Sequence, residues 1–293
     1  MGLPEFGFES TAEEVTDGLD LAGKTFFVTG CNSGLGLETM RVLGLRGAHV
    51  IGAARTQDKA AAAIASTGVS GTAVECELSE ASSVRACAAT LRAFDRPIDG
   101  LICNAGIMAL PEARTTHGLD LQFLTNHIGH FILVTEALDA LAENGRVVVL
   151  SSGAHRMAPE VGIDFDNLSG ERDYTPWKMY GQSKLANILF TSHLAGRLAD
   201  SGRTANALHP GVILTNLVRH IEDPQAMLGT MKLKTIPQGA ATQCVVATRP
   251  ELSDVSGKYF SDCKVAKTHP LAADTELAEK LWVRSEEIAA SLS

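Results

Sequence analysis

Two residues in the stretch PWKMYGQSKLAN, at positions 176–187, could act together as an acid–base pair. Tyr180 and Lys184 are four positions apart, so on a helix they lie on the same face. A phenol has a free pKa near ~10, and a neighbouring ammonium would lower that pKa by stabilising the phenolate. Such a tyrosine can protonate a carbonyl oxygen or deprotonate an alcohol. The spacing alone is common by chance, so the pair needs partners elsewhere in the chain.

Polar residues that could be those partners follow two apolar segments. Ser151 and Ser152 end GRVVVLSS, and Asn104 and Gly106 end PIDGLICNAG. Open α/β sheets bind ligands at the carboxyl ends of their strands. Neighbouring strand residues face opposite ways, so only one of the two serines can point into a cleft. Asn126 lies within a predicted helix, where asparagine is unfavourable, which indicates a specific role. The alternative is a buried amide bonded to nearby backbone.

A glycine-rich turn, TGCNSGLG at residues 29–36, separates the first predicted strand from the first long helix. Gly30, Gly34 and Gly36 would let backbone N–H groups at the helix start approach a pyrophosphate. The spacing is not GxGxxG, and a glycine turn by itself is weak support for a dinucleotide site. No GK[ST] follows, which disfavours a nucleotide triphosphatase.

The second predicted strand, HVIGAA, contains no acidic residue and is followed by Arg55. In dinucleotide folds a carboxylate at this position binds the ribose 2′-hydroxyl of NAD, whereas an arginine accommodates the 2′-phosphate of NADP. We therefore expect NADP(H) to be preferred, with NAD(H) as the weaker cofactor. The competing interpretation is a solvated arginine at the start of a helix.

Apolar strands alternate with helices along the whole chain. This predicts an α/β fold with one domain, a Rossmann-like doubly wound parallel sheet of about seven strands covered by helices on both faces. Residues 1–22 are predicted to be an arm with a short helix capped by Ser10 and Glu13, and 23–293 the domain. Other predicted helices span about 117–141 and 176–200.

Composition excludes several classes of function. The net charge of −9 and the lack of a basic stripe argue against nucleic acid as a partner. Six scattered cysteines without a CxxC argue against a zinc ribbon. His127 and His130 have no evident third ligand, so no metal is expected. We find no secretion signal and no apolar run of membrane-spanning length, which predicts a cytoplasmic protein.

In this order, TGxxxGxG, NAG, a serine at a strand end and YxxxK resemble the short-chain dehydrogenase/reductase family, over roughly residues 22–260. TNHIGHF, YGQSKLANILF, ALHPGVILTNL and VSGKYFSDCKVAK are similar to its retinol-dehydrogenase-like branch, which includes the WW-domain oxidoreductase. The alternative is a catalytically weak, cofactor-binding regulatory protein on the same fold. Such a protein would be expected to lack one of the four catalytic residues, and this chain has all of them.

The resemblance implies a role for each matching residue. Tyr180 would be the acid–base, Lys184 would hold the nicotinamide ribose and lower the tyrosine pKa, Ser152 would bind the substrate oxygen, and Asn126 would order a water. The implied cofactor-binding residues are Gly30, Asn32, Ser33, Gly34, Leu35, Gly36, Arg55, Glu77, Leu78, Asn104, Ala105, Gly106, Tyr180, Lys184, Pro210, Gly211, Val212 and Thr215. Glu77 and Cys103 depart from the family's usual aspartate and asparagine. Homodimers and homotetramers are usual in the family.

An apolar segment follows the nicotinamide-binding region. Leu214, Leu217, Val218 and Ile221 recur at helical spacing, and Met227, Leu228 and Met231 come after them. Core packing or a dimer contact would explain such a pattern. Because the family carries its substrate segment here, at about 212–236, we instead predict a bulky lipophilic carbonyl or alcohol substrate, similar to a retinoid, steroid or polyketide.

Overall fold

An eight-stranded sheet forms the centre of the protein in a computed structural model, which describes residues 5–215, 229 and 231–292. The strands of the main sheet and of a small hairpin are β1 Thr25–Thr29, β2 His49–Ala54, β3 Gly71–Glu75, β4 Ile98–Cys103, β5 Thr115–Thr116, β6 Leu119–Asp120, β7 Leu141–Leu150, β8 Thr204–His209, β9 Tyr259–Ser261 and β10 Lys264–Val265. The order in the sheet is β3-β2-β1-β4-β7-β8-β9-β10. All neighbours pair in parallel except β9 and β10.

This order confirms the predicted doubly wound sheet, because the chain reverses direction across the sheet between β1 and β4. The seven parallel strands match the predicted number, and the short antiparallel β10 was not predicted. All five residues of β1 are buried. Phe27 packs into one hydrophobic core, whereas Phe26 and Val28 pack into the other. A strand buried on both faces is mostly apolar, which is why these strands were recognisable.

Helices cover both faces of the sheet. The α-helices are α1 Ala12–Val15, α2 Gly34–Leu45, α3 Gln57–Thr67, α4 Ala81–Arg92, α5 Leu121–Phe123, α6 Gly129–Ala137, α7 Pro176–Arg197, α8 Ile236–Thr248 and α9 Thr275–Ser291. One core lies beneath α4, α6, α7 and α9, and the other beneath α1, α2, α3 and α8. Within the described ranges, no helix combines the length and hydropathy needed to cross a membrane.

The helix in the N-terminal segment is one residue out of register with the prediction. Thr11, not Ser10, caps α1: the Glu14 N–H donates to Thr11 Oγ1 at 3.3 Å, and the Thr11 N–H donates to Glu14 Oε2 at 2.8 Å. Ser10 instead accepts from Gly7 N–H at 3.0 Å. The sequence STAEE satisfies the capping-box spacing in both registers. The observed register buries Ala12 and Val15 completely.

The predicted single helix over 117–141 is wrong. Its beginning is a hairpin, in which Thr115 pairs with Asp120 and Thr116 with Leu119. The helical part is α5, then a π-helix over Leu124–Ile128, then α6. The predicted helix ran through the turn at Gly118, because the apolar periodicity beyond it looks continuous. A π-helical turn has no sequence signal that we used, and such turns are common at functional sites.

Asp120, which caps α5, makes the stability of the fold depend on pH. Its Oδ1 accepts from Gln122 N–H at 3.0 Å and from Phe123 N–H at 3.1 Å. Its Oδ2 is buried and has no hydrogen-bond partner in the described parts of the chain. Burial raises the pKa of this carboxyl from 3.8 to about 6. The native state therefore binds a proton more tightly than the unfolded chain, so the contribution of Asp120 to stability falls as the pH rises from 4 to 6.

We expect Asp120→Asn to keep the cap and remove the buried charge. The variant should be more stable than the wild type by roughly 1–3 kcal/mol at pH 8 and by much less at pH 4.5. Urea unfolding at the two pH values measures this difference. Asp274→Asn, at the exposed cap of α9, is the matched control and should show no comparable gain at pH 8. An equal effect of Asp120→Asn at both pH values would contradict the assignment.

Candidate active site

Tyr180 is held in the first turns of α7, which begins after the Thr175 cap with Pro176 in its first turn. The tyrosine is 3% exposed and packs edge-on against Trp177, with ring centroids 6.1 Å apart. The next residue, Gly181, lets α7 approach the 3₁₀ turn Gly153–Met157, because a Cβ at position 181 would lie 2.6 Å from the Ala154 carbonyl oxygen. The close approach of α7 thus packs Tyr180 against Ala154, in the segment that follows β7.

Lys184 lies one turn further along α7, as the spacing predicts. Its Nζ is 5.7 Å from the centroid of the Tyr180 ring and donates to the Leu150 carbonyl at 3.1 Å. Burial lowers the pKa of Lys184 to about 8. Burial also raises the pKa of Tyr180 to about 12, opposed only by the Ser152 hydroxyl. The expected lowering of the tyrosine pKa by Lys184 is therefore not seen, because burial of the phenol sets the direction of the shift.

The two serines after β7 face different ways. Ser151 is 3% exposed and its hydroxyl donates to the Lys184 carbonyl at 2.7 Å, which ties β7 to α7. Ser152 is less buried, accepts from Ala154 N–H at 3.2 Å and lies beside the Tyr180 hydroxyl. The structure therefore places Ser152, the serine named by the resemblance, next to the candidate acid–base.

Asn126 lies within the π-helix and is fully buried. Its Oδ1 accepts from Ile107 N–H at 2.9 Å, and its Nδ2 donates to the Ile107 carbonyl at 2.9 Å and to Ser183 Oγ at 2.9 Å. The amide is thus bonded to neighbouring backbone, as in the alternative interpretation of its position. These bonds also join the loop after β4 to α7.

The turn after β4 is fixed by a chain of hydrogen bonds that starts at the π-helix. His130 Nδ1 donates to the Asn126 carbonyl at 3.0 Å, which leaves Nε2 to accept from the Thr29 hydroxyl at 3.0 Å. Thr29 Oγ1 in turn accepts from the N–H groups of Asn104 and Ala105 at 2.9 and 3.0 Å. Burial lowers the pKa of His130 to about 4, so the ring is neutral at physiological pH. Sequence reasoning did not find the Thr29 role.

The glycine-rich turn and the start of α2 have the features of a phosphate site. Ser33, at the N-cap of α2, makes no side-chain hydrogen bond to the helix, so it leaves the first N–H groups of α2 uncapped and able to bind an anion. A Cβ at Gly36 would lie 2.3 Å from the Gly30 carbonyl oxygen and 2.6 Å from Asn104 Nδ2. Only glycine therefore allows α2 to start this close to the two strand ends.

A cavity of about 580 Å³ lies in front of this turn. It is lined by many of the residues expected to bind the cofactor, namely Gly30, Asn32, Ser33, Gly34, Leu35, Arg55, Glu77, Leu78, Asn104, Ala105, Gly106 and Thr215. The remaining ones, Tyr180, Lys184, Pro210, Gly211 and Val212, line the adjoining cavity described below, and the first cavity does not include Gly36. These residues suit a dinucleotide, with its pyrophosphate at the start of α2.

The cavity is lined by two arginines, Arg55 and Arg114, of which the sequence predicted only Arg55. The Arg55 side chain is exposed and makes no hydrogen bond or ion pair with another described residue, and the same holds for the Arg114 side chain. Sequence reasoning missed Arg114, because nothing next to it in the chain suggests a ligand. Glu77 turns its Oε1 back to the Ser79 N–H at 3.2 Å and hydroxyl at 2.9 Å. Its carboxylate thereby stabilises the loop after β3.

A second cavity, of about 480 Å³, contains Ser152, Tyr180 and Lys184. It shares Leu35, Asn104, Gly106, Ile107 and Thr215 with the first cavity, so the two adjoin. Most of its wall is apolar, formed by residues including Met108, Leu150, Ala154, Met157, Trp177, Val212, Ile213 and Met231. Such a cavity suits a lipophilic molecule whose polar end lies near Tyr180.

The predicted substrate segment is only partly described. Met231 lines the second cavity and is 58% exposed, and Leu214 is 44% exposed. Leu217, Val218, Ile221, Met227 and Leu228 lie outside the described residues.

The two histidines considered as metal ligands bond to different groups. His127 Nε2 lies 2.9 Å from Ser285 Oγ on α9, and His130 bonds to Thr29 and to the Asn126 carbonyl. Among the described residues, no group of three or more His, Cys, Asp or Glu side chains could hold a metal ion.

The sheet has the strand order of a Rossmann-type fold, and α2 starts beside β1 without a side-chain cap from Ser33. Ser152 and Tyr180 line the adjoining cavity. Together these features are typical of a Rossmann-type dehydrogenase or reductase. The comparisons with known proteins agree: residues 24–165 match the family model described as short chain dehydrogenase. The chain is 42% identical to the short-chain dehydrogenase TIC 32 A, chloroplastic, of Brassica napus over 99% of its length and 96% of that protein. The chain belongs to the short-chain dehydrogenase/reductase family and is an oxidoreductase of that family.

Two further relatives place it in the predicted branch. The chain is 39% identical to human retinol dehydrogenase 14 over 90% of its length and 85% of that protein. It is 37% identical to the human WW domain-containing oxidoreductase over 95% of its length and 71% of that protein. The predicted resemblance to this branch is confirmed.

Solved structures share the fold. An uncharacterised protein from Mycobacterium Paratuberculosis is 34% identical, with a TM-score of 0.77 over 94% of this chain and 96% of that chain. A short-chain dehydrogenase from Burkholderia cenocepacia, solved in complex with NADP, is 23% identical, with a TM-score of 0.67 over 83% of this chain and 97% of that chain. Family membership and the cavity at α2 support the binding of a nicotinamide cofactor.

Proposed function

We propose that the protein transfers a hydride between NADP(H) and a lipophilic ketone, aldehyde or alcohol, with Tyr180 as the acid–base. One observation carries this proposal: the Ser152 and Tyr180 hydroxyls lie beside each other in an apolar cavity that adjoins the dinucleotide cavity. The apolar walls favour a retinoid-, steroid- or polyketide-like molecule over a sugar or a hydroxy acid.

In the reductive direction, Tyr180 gives its phenolic proton to the carbonyl oxygen of the substrate. A bound reduced nicotinamide would supply the hydride to the carbonyl carbon. Ser152 donates to the same oxygen and orients it towards the phenol. The pKa of about 12 keeps the Tyr180 phenol protonated at neutral pH, which is the form that donates. Solvent then returns a proton to the phenolate after the alcohol forms.

Lys184 supports this step from one helical turn away. The Leu150 carbonyl fixes its ammonium, and the Leu150 oxygen also accepts from Asn187 Nδ2 at 3.0 Å. With a pKa of about 8, most Lys184 side chains remain charged at pH 7. We assign to Lys184 the binding of the nicotinamide ribose and to the residues at the start of α2 the binding of the pyrophosphate.

A panel of carbonyls tests the reaction class. We expect NADPH oxidation with aromatic and long-chain ketones and aldehydes, and much slower oxidation with small charged sugars and hydroxy acids. Absorbance at the NADPH band measures the rate. NADPH binding without turnover of any carbonyl or alcohol would instead support a regulatory protein. A cytoplasmic location and a homodimer or homotetramer are part of the proposal, and neither affects this assay.

A further inference from the structure

His209 is the last residue of β8, and it lies beside the end of the neighbouring strand β7, which Ser151 and Ser152 follow. In the register of the two strands, Leu150 pairs with Leu208, and Ser151 N–H donates to the Leu208 carbonyl at 2.7 Å. His209 therefore lies beside the Ser151–Gly153 segment. Its ring lines the second cavity together with Ser152 and Tyr180.

The hydrogen bonds of His209 fix its tautomer. Gly153 N–H donates to His209 Nδ1 at 3.1 Å, so Nδ1 is an acceptor. In a neutral imidazole the proton must then be on Nε2. Burial lowers the pKa of His209 to about 4, which agrees with a neutral ring at physiological pH. Nε2 forms no hydrogen bond with another residue in the described ranges.

Other polar side chains in the same wall already have acceptors. Asn104 Nδ2 donates to the Thr29 carbonyl at 2.8 Å, Ser151 donates to the Lys184 carbonyl, and Lys184 donates to the Leu150 carbonyl. Ser152 and Tyr180 form the pair assigned to the reacting oxygen. The Nε2–H group of His209 is thus an additional donor in a largely apolar cavity.

Resting on the proposed function, we propose that His209 is a specificity-determining residue that donates Nε2–H to a second oxygen of the substrate. The favoured substrate class is then a lipophilic carbonyl compound, or the matching alcohol, with a second oxygen acceptor on a carbon close to the reacting one. The second oxygen must be close because the His209 ring bonds to Gly153, the residue that directly follows Ser152. A donor in this largely apolar cavity that is left without an acceptor disfavours substrates that lack this oxygen.

Two ketones that differ at one atom test this inference. 2-Methoxy-1-phenylethanone has an ether oxygen where butyrophenone has a methylene. Two variants separate the ring nitrogens: His209→Asn keeps an acceptor for Gly153 N–H and removes the distal donor, whereas His209→Gln restores a distal N–H. The measured quantity is the ratio of kcat/KM for the two ketones, in which the intrinsic reactivity of each ketone cancels between variants.

We expect His209→Asn to lower this ratio by roughly five- to tenfold, the effect of one net hydrogen bond, and His209→Gln to restore part of it. A ratio that does not change in His209→Asn would overturn the proposal, even if both rates fall together. Should the variants not fold, as judged by thermal unfolding, a wild-type KM no lower for the ether ketone than for butyrophenone would also overturn it. Failure of the proposed function is distinct, because then the wild type reduces neither ketone.

Discussion

Replacing Tyr180 with phenylalanine is expected to lower kcat by roughly 10²–10⁴-fold, the usual contribution of an acid–base group. The ring stays in its contact with Trp177, so the cavity keeps its shape. What is lost is the one transferable proton beside Ser152. The pKa of about 12 keeps the phenol protonated at neutral pH, so removing its hydroxyl removes the proton that the proposed mechanism transfers.

The experiment should separate chemistry from binding. Single-turnover oxidation of NADPH gives the chemical rate, and cofactor fluorescence gives the affinity, which should change by no more than about twofold. Tyr174→Phe is the matched control: this tyrosine donates to the Leu110 carbonyl at 2.6 Å and does not line the second cavity. Near-normal turnover in Tyr180→Phe, or an equal loss in Tyr174→Phe, would remove Tyr180 from its proposed role.

The second large effect concerns the choice of cofactor. Arg55 follows β2 with no carboxylate in that strand, and its guanidinium is without a partner among the described residues. A charge-assisted contact with a 2′-phosphate contributes about 1.5–3 kcal/mol net, so we expect NADP(H) to be preferred over NAD(H) by roughly ten- to a hundredfold. Arg55→Ala should remove most of this preference by weakening NADP(H) alone.

Arg114→Ala provides the matched control, since Arg114 is also exposed and unpaired in the described structure and lines the same cavity. If only the positive field of the cavity matters, both variants will weaken NADP(H) to a similar degree. If Arg55 contacts the 2′-phosphate, only Arg55→Ala changes the ratio of the two dissociation constants. The preference should decrease with salt, because the side chain is exposed. Equal use of both cofactors by the wild type would refute the prediction.

Much of the site was predictable because its residues occur at strand ends in a fixed order. The buried strands are continuous apolar runs, and parallel pairing then brings Ser152, Asn104 and the glycine-rich turn to one edge of the sheet. The same reasoning could have found His209, which ends an apolar strand directly before a proline and a glycine. It was not predicted, because the residues expected to line the nicotinamide begin at Pro210.

Other features depend on contacts between distant parts of the chain. The Tyr180 pKa is raised because packing buries the phenol deeply. A spacing of four residues between Tyr180 and Lys184 contains no information about that depth. Arg114 lines the cofactor cavity and directly precedes the hairpin that takes the place of the start of the predicted helix. Within the π-helix, Asn126 bonds to Ile107 and Ser183, which lie far from it in the sequence.

The chain of hydrogen bonds from Asn126 through His130 and Thr29 limits which segments of the protein can be exchanged for those of another enzyme. Exchanging the first strand, turn and helix for those of another enzyme is an obvious way to change cofactor use. Thr29, however, is bonded to a histidine about a hundred residues further along the sequence. A replacement segment without a hydroxyl at position 29 would leave His130 Nε2 and the Ala105 N–H without their partner. The Asn104 N–H would keep only its bond to the Ile102 carbonyl at 3.0 Å. A transplantable cofactor module therefore includes His130, or begins after Thr29.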